Sequence, residues 1–378
     1  MDAGRINMLG GIVALFILAS SLQNLEAQGG DCWGNFRGNS RLTGVSSATL
    51  PNRPEMLWNF NTQGSIMAAP VACNGIIVVG TTKGALYGIN SDGTLRWKIV
   101  TENSIEAPSL IINNVVYTGN LDGTLYAIDL ETGNIRWTYK TENQIMGSPS
   151  YYKSGNKAVI LLGSYDYYLH AIDPVTGKGL WKYETNNFIN GACALYSGMA
   201  VFGGCDGLLH LVDAVSGKSK SSMEISTYVA SSAAIDGDHA YVGDYDGRFS
   251  AVDLQNQKVS WVFENKEANL PFIASPSVYG DHVYIGNRDK YVYCLNKKSG
   301  KLVWKYNTGS RVDASPVVVG NRLLAANMRG DLFLMDRKSG KPLWTYELGT
   351  PVNANPAVVN NRIYVAGGDG RIYCLGKK

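Results

Sequence analysis

The chain has 378 residues, of which 45% are hydrophobic and 17% charged, with 43 Gly, 22 Tyr, 9 Phe and 8 Trp. That composition excludes an intrinsically disordered, coiled-coil or collagen-like chain. A formal charge of +3 gives no electrostatic footprint for nucleic acid, so no nucleic-acid partner is expected.

At the amino terminus, Arg5 precedes an apolar run over 8–19 (MLGGIVALFILA) and a polar stretch that puts Leu25 and Ala27 at the −3 and −1 positions of a signal-peptidase site. Residues 1–27 therefore read as a secretory signal peptide, the apolar run being shorter than the roughly 18 residues that span a bilayer. Cleavage removes Arg5 with Asp2 and Glu26 and leaves +4. An exported protein, periplasmic or extracellular, with no transmembrane segment after cleavage is the expectation. Cys32 follows Gly30-Asp31 and lies ten residues past Leu22, so it lacks a lipobox and no lipid anchor is expected. The six Cys, at 32, 73, 193, 205, 294 and 374, show no CxxC and no adjacent pair. They read as small, buried, inert thiols and not as a disulfide framework.

Residues 28–54 form a lead-in, and from 55 to 378 the chain repeats itself. LYAIDLETGNIRW (125–137) recurs as LHAIDPVTGKGLW (169–181), FSAVDLQNQKVSW (249–261), VYCLNKKSGKLVW (292–304) and LFLMDRKSGKPLW (332–344). Seven of the eight Trp residues keep the period of about 40 residues: Trp58, Trp97, Trp137, Trp181, Trp261, Trp304 and Trp344. Ser221 stands where the copy at 209–221 should have its Trp. Each period also holds a small residue before Pro, as in Ser275-Pro276, then turn residues and an apolar run. Four short strands per 40 residues describe a propeller blade, not a solenoid coil or sandwich. First-strand segments starting near 66, 105, 145, 188, 229, 272, 312 and 352 count eight blades. The last copy ends after its third strand, while residues 55–61, with Trp58, form a Trp strand without a blade. The fold expected is an all-β, eight-bladed propeller of four-stranded antiparallel blades, closed by this N-terminal strand, which completes blade eight and removes exposed edges.

Ala127-Ile128-Asp129, Thr132-Gly133 and Trp137, repeated as Ala171, Asp173, Thr176, Gly177 and Trp181, resemble the AxDxxTGxxxW signature of the PQQ-like (quinoprotein-type) β-propeller repeat family. The opening Trp33-Gly34-Asn35-Phe36-Arg37-Gly38 is similar to the W-x-x-F-R-G start of many exported members. The resemblance covers residues 31–378. It implies that each Trp docks between blades against a small residue and the Thr-Gly peptide, and that blade four, with Ser221 and Leu211 at the Trp and Ala positions, has the weakest outer seam.

Function must lie in departures from the repeat, because the fold hosts both enzymes and scaffolds. His170 and His210 share the aromatic column of Tyr87, Tyr126, Tyr293, Phe333 and Tyr373. They read as packing residues, since two His without a third ligand make a poor zinc site. His239 and His282 fall in Gly-Asp-His turns. The Asp-Gly pairs at 122, 206, 246 and 369 read as hairpin turns, because none supplies the six oxygens calcium needs. The channel mouth offers Glu106, Asn190, Asp313 and Asn353 as cofactor- or ligand-binding candidates, with Glu106 and Asp313 three blades apart and so not an acid/base dyad. No catalytic residue and no metal ligand is assigned.

The resemblance implies three readings. Quinoprotein dehydrogenases of the family bind pyrroloquinoline quinone (PQQ) with calcium, but they are longer and typically set two adjacent cysteines against the quinone, which this chain lacks. A non-enzymatic scaffold, similar in size to outer-membrane assembly factors of the BamB type, needs no cofactor and fits the near-minimal repeats. Recognition of a small molecule or glycan through Tyr151-Tyr152 and Tyr165–Tyr168 is the third. The expectation is a monomeric, cofactor-free scaffold in the cell envelope that binds a partner protein, with the PQQ-dependent enzyme as the alternative.

Overall fold

A computed structural model of the chain describes residues 32–229 and 231–378. The expected signal peptide, the first residues of the lead-in, and Ala230 lie outside the described residues. Among the described residues no helix is long and apolar enough to cross a membrane.

Eight antiparallel sheets of four consecutive blade strands make the ring. Blade one is Val71–Cys73, Ile76–Gly80, Ala85–Asn90 and Leu95–Val100, and blades two to seven occupy 110–140, 150–184, 194–224, 234–264, 277–307 and 317–347. Blade eight takes three strands from 357–376 and its outermost strand from Glu55–Asn61, which pairs antiparallel with Arg371–Gly376 and sets Trp58 opposite Cys374. This is the closure expected from the unpaired Trp strand. The innermost strands begin about five residues later than the repeat boundaries suggested. Those first segments are loops that bring the chain back from the rim to the channel, ending in a buried small residue in seven blades and in half-buried Asn355 in blade eight, with Pro next in most blades.

A backbone bulge precedes the last residues of every third strand, as between Ala127 and Ile128, and it sets each Trp against a small or aliphatic partner: Gly88 for Trp97, Ala127 for Trp137, Ala171 for Trp181. The indole N–H then donates across the seam to a carbonyl in the next blade's turn, as Trp97 to Leu130, Trp137 to Pro174, Trp181 to Val215, Trp261 to Lys297, Trp304 to Arg337 and Trp58 to Ser91, at 2.8–3.2 Å. Buried indoles need such an acceptor. The repeat Asp closes that turn: Asp129 Oδ1 accepts from the N–H groups of Glu131 and Thr132 and from the Thr132 hydroxyl.

Two sheets gain a fifth strand on their channel side. Cys32–Trp33 joins blade one antiparallel, and Val45–Ser46 joins blade seven in parallel. Cys32 and Cys73 face each other in this pairing and form a disulfide. The expectation of six inert thiols is thereby corrected for one pair, because the lead-in folds back onto blade one. Cys193, Cys205, Cys294 and Cys374 are free and buried, the last two occupying the small position opposite a repeat Trp.

Candidate functional site at the channel mouth

A propeller channel has two ends, and the topology distinguishes them here. The loops that return to the inner strand and the hairpins joining second to third strands share the upper end; the other hairpins share the lower. In all eight blades the upper loops are tied together by one backbone bond, such as Leu121 N–H to Ser104 O, Tyr165 N–H to Gln144 O and Arg288 N–H to Pro271 O.

At the lower end the lead-in winds around the channel as a strap. Inner-strand N–H groups of blades two, four, five, six and seven (Ile111, Leu195, Ile235, Val278, Val318) donate to the strap carbonyls of Gly34, Ser40, Arg41, Thr43 and Gly44 at 2.7–3.0 Å. The Ser46 hydroxyl donates to Val358 O of blade eight at 2.7 Å. Trp33 and Leu42 are buried against inner strands of opposite sides of the ring. Edge groups of seven blades are satisfied by the chain's own residues.

Just inside the upper mouth runs a belt of bonds between neighbouring blades: Ala192 N–H to Ser232 Oγ, Ser232 N–H to Ser275 Oγ, Ser275 N–H to Ser315 Oγ and Ser315 N–H to Asn355 Oδ1, at 2.6–3.1 Å. The small residue before Pro was visible in the repeat. Its bonding across the seam was not, because that depends on a neighbour about 40 residues away.

The four mouth candidates sit above this belt in four different blades, and no hydrogen bond or ion pair among the described residues joins one to another. Glu106 accepts from the Ser104 hydroxyl at 2.9 Å. Asp313, its side chain only 8% exposed, lies between Arg288 (3.3 Å) and Arg311 (3.4 Å). Asn190 bonds Tyr165, and Asn353 lies 3.1 Å from Met67 Sδ. The two arginines carry no repeat signature and were missed in the sequence.

The mouth is divided. Over blades three to five, Tyr165 stacks on Phe188 with centroids 4.5 Å apart, Tyr167 leans on Phe188 at 5.3 Å, and Tyr228 meets Tyr245 edge-on at 4.8 Å. Burial pushes the Tyr165 and Tyr228 hydroxyls and the Cys205 thiol between them upward, keeping all three neutral. Tyr167, Tyr245 and Leu270 are more than two-fifths exposed. Over blades six and seven, Arg311 and Arg329 are more than half exposed, while their partners Asp313 and Asp331 are largely covered. Tyr151 and Tyr152, grouped with the mouth tyrosines in the sequence, instead belong to the inner strand Ser150–Ser154 that runs down to the lower hairpin.

His170 and His210 do not meet. Each lies in its own relay across a seam: Tyr139 to His170 Nδ1 at 3.0 Å with Nε2 on Asp166 at 2.9 Å, and Tyr183 to His210 Nδ1 at 3.1 Å with Nε2 on Asp206 at 3.0 Å. Blade eight makes the one-step version, Tyr373 to Asp369 at 2.6 Å. Among the described residues no three His, Cys, Asp or Glu converge on a metal position.

A PQQ site does not match these residues. The faces of Tyr165 and Phe188 that could sandwich a planar quinone are stacked on each other. Asp313 is held by two guanidinium groups, and Cys205 has no adjacent cysteine.

No curated protein matches the sequence. Among solved structures, BamB from Moraxella catarrhalis is similar over 86% of this chain and 98% of its own, at 19% identity and a TM-score of 0.71. Quinohemoprotein alcohol dehydrogenase from Comamonas testosteroni is similar over 94% of this chain and 82% of its own, at 14% identity and 0.78. The computationally designed protein Ika8 is similar over 85% of this chain and all of its own, at 16% identity and 0.73. At such identities these likenesses establish the fold alone. The family model described as outer membrane protein assembly factor BamB matches residues 25–192, 165–330 and 288–378, and the chain therefore belongs to that family of PQQ-like β-propellers.

Proposed function

We propose that the protein is an exported, non-enzymatic scaffold of the cell envelope that docks a partner protein on its upper mouth, as part of outer-membrane protein assembly. The observation carrying this reading is the divided mouth: exposed Tyr167, Tyr245 and Leu270 beside Arg311 and Arg329, whose partner carboxylates are covered. Exposed aromatics and arginines are the residue types that anchor protein interfaces. The floor that the strap puts under the channel leaves this face as the accessible one. Family membership supports the reading, and the Cys32–Cys73 disulfide supports export, because such bonds persist in oxidising compartments.

Photocrosslinking tests it directly. With benzoylphenylalanine at Tyr167 or Tyr245, one discrete adduct with an envelope protein is expected in living cells, diminished by R311E, and none from Val175, an exposed residue of a lower turn. Calorimetric titration with PQQ and calcium should give no heat. One-to-one binding of PQQ at micromolar concentration, or adducts equally strong from Val175, would overturn the proposal.

A further inference from the structure

Arg37 is the largest fully buried side chain of the described residues, 2% exposed, and it stands in the middle of the strap in a left-handed conformation (φ 62°). Only one of its terminal nitrogens is used: Nη2 donates to Pro316 O (2.6 Å), Ser277 Oγ (2.7 Å) and Pro276 O (3.1 Å), on the inner edges of blades six and seven. All three acceptors are neutral. Nε and Nη1 are buried and have no acceptor among the described residues, which leaves three N–H bonds unmet. No carboxylate of the described residues pairs with the group, whereas Arg288 in the mouth has Asp313. Burial lowers its pKa to about 9, so the guanidinium is still charged at neutral pH. A buried cation without a counter-charge is among the most destabilising features a fold can contain.

We infer that Arg37 holds a small monovalent anion of chloride size inside the strapped end of the channel, against Nη1, the donor on the edge of the guanidinium turned away from Nη2. Water could fill the unmet donors but would leave the charge uncompensated; a halide at Nη1 compensates the charge and accepts from that nitrogen. Packing closes the other edge: the strap approaches so closely at Gly44 that an added Cβ would lie 1.9 Å from Nη2 and 2.5 Å from Ser277 Oγ, so the ion has no room on that side and is left with Nη1. The ion would be a structural part of the channel floor, and this inference does not depend on what binds the mouth.

The test uses the full-length chain, exported by its host and purified in gluconate, an anion too large for the site. Sodium bromide is then exchanged for gluconate at constant ionic strength. The thermal midpoint of the wild type should climb by about 2 °C for each tenfold rise in bromide above its dissociation constant, and R37M should lose that dependence. Crystals of the wild type grown with bromide should show an anomalous peak in contact with Nη1, a readout that survives if R37M fails to fold. A midpoint insensitive to bromide, an equal slope in R37M, or a water at that edge would each overturn the inference. A peak at crystal concentration without the solution effect, an adventitious ion only, would overturn it too.

Discussion

Across six seams the turn facing a repeat Trp has a glycine in the left-handed conformation, at 93, 133, 177, 217, 300 and 340, where an added Cβ would fall 2.6–2.8 Å from the indole. Blade four has Ser221 instead of Trp, and the turn it faces, in blade five, has Gln257 instead of Gly. Gln257 keeps the left-handed conformation (φ 54°), so the backbone demand is unchanged and only the steric one has lapsed. The two departures are one event: without the indole there is room for a side chain. A double-mutant cycle separates this from coincidence. S221W alone should cost about 1–3 kcal/mol by overpacking against Gln257. Combined with Q257G it should stabilise the seam, with a coupling of about 0.5–3 kcal/mol in denaturant melts. Additive effects would show that the two positions do not meet. Sequence reading marked this seam as weak from Ser221 and Leu211; the compensation at Gln257 needed the knowledge that each Trp reaches into the following blade.

The element that repeats most faithfully is the turn between third and fourth strands, and its aspartate is also its titratable part. Asp129 is held down to about 2, first by the hydrogen bond from Arg136, helped by the Thr132 N–H and hydroxyl. Asp173, Asp213, Asp253 and Asp336 are lowered chiefly by bonds from the Thr, Ser or Asn that follows in the same turn. Depressed folded values mean that the stabilisation is fully present above the unfolded carboxylate pKa of about 4 and is lost as pH falls through the folded values. Asp244 runs the other way: buried in the upper hairpin of blade five, it is raised by that burial, and its protonation favours the fold slightly as pH drops. Five depressed groups outweigh one raised group. Stability in urea should therefore stay nearly level from pH 7 to about 5 and fall between about pH 4 and 2. D129N should flatten part of that fall at the expense of stability at neutral pH. A fall that begins near pH 6 would overturn this account.

At the scale of the ring, the first thirty described residues hold together what the repeats alone leave open. The strand Glu55–Asn61 closes blade eight, and the strap before it bonds inner strands through contacts such as Arg37 to Ser277 and Ser46 to Val358, 240 and 312 residues apart. This difference in range explains what was legible. The blades were readable because Asp, Thr-Gly and Trp recur within a dozen residues and declare one hairpin at a time. Strap residues have no second copy, and neither the pairing of Cys32 with Cys73 nor the burial of Arg37 follows from spacing, since both depend on where the chain returns after passing under seven blades. The mouth was located by repeat position but not its division, because Arg288 and Arg311 lie in loops that carry no periodic signal. The same long-range character gives the disulfide its effect. It closes a 41-residue loop and fixes the first residues of the strap to blade one, a constraint worth about 2–4 kcal/mol through the unfolded chain. Replacing both cysteines by alanine should therefore lower the unfolding free energy by that amount while leaving the far-ultraviolet circular dichroism unchanged, since the blades keep their own hairpins. Native-state hydrogen exchange locates the loss. If the strap closes the ring, protection in the variant should fall first at Ile111, Leu195, Ile235, Val278 and Val318, whose N–H groups bond the strap carbonyls. Those five amides lie on five different blades, so their joint release would mark one strap lifting as a unit. Loss confined to Ile76–Gly80 and its neighbours in blade one would mean that the bond braces only the sheet it touches.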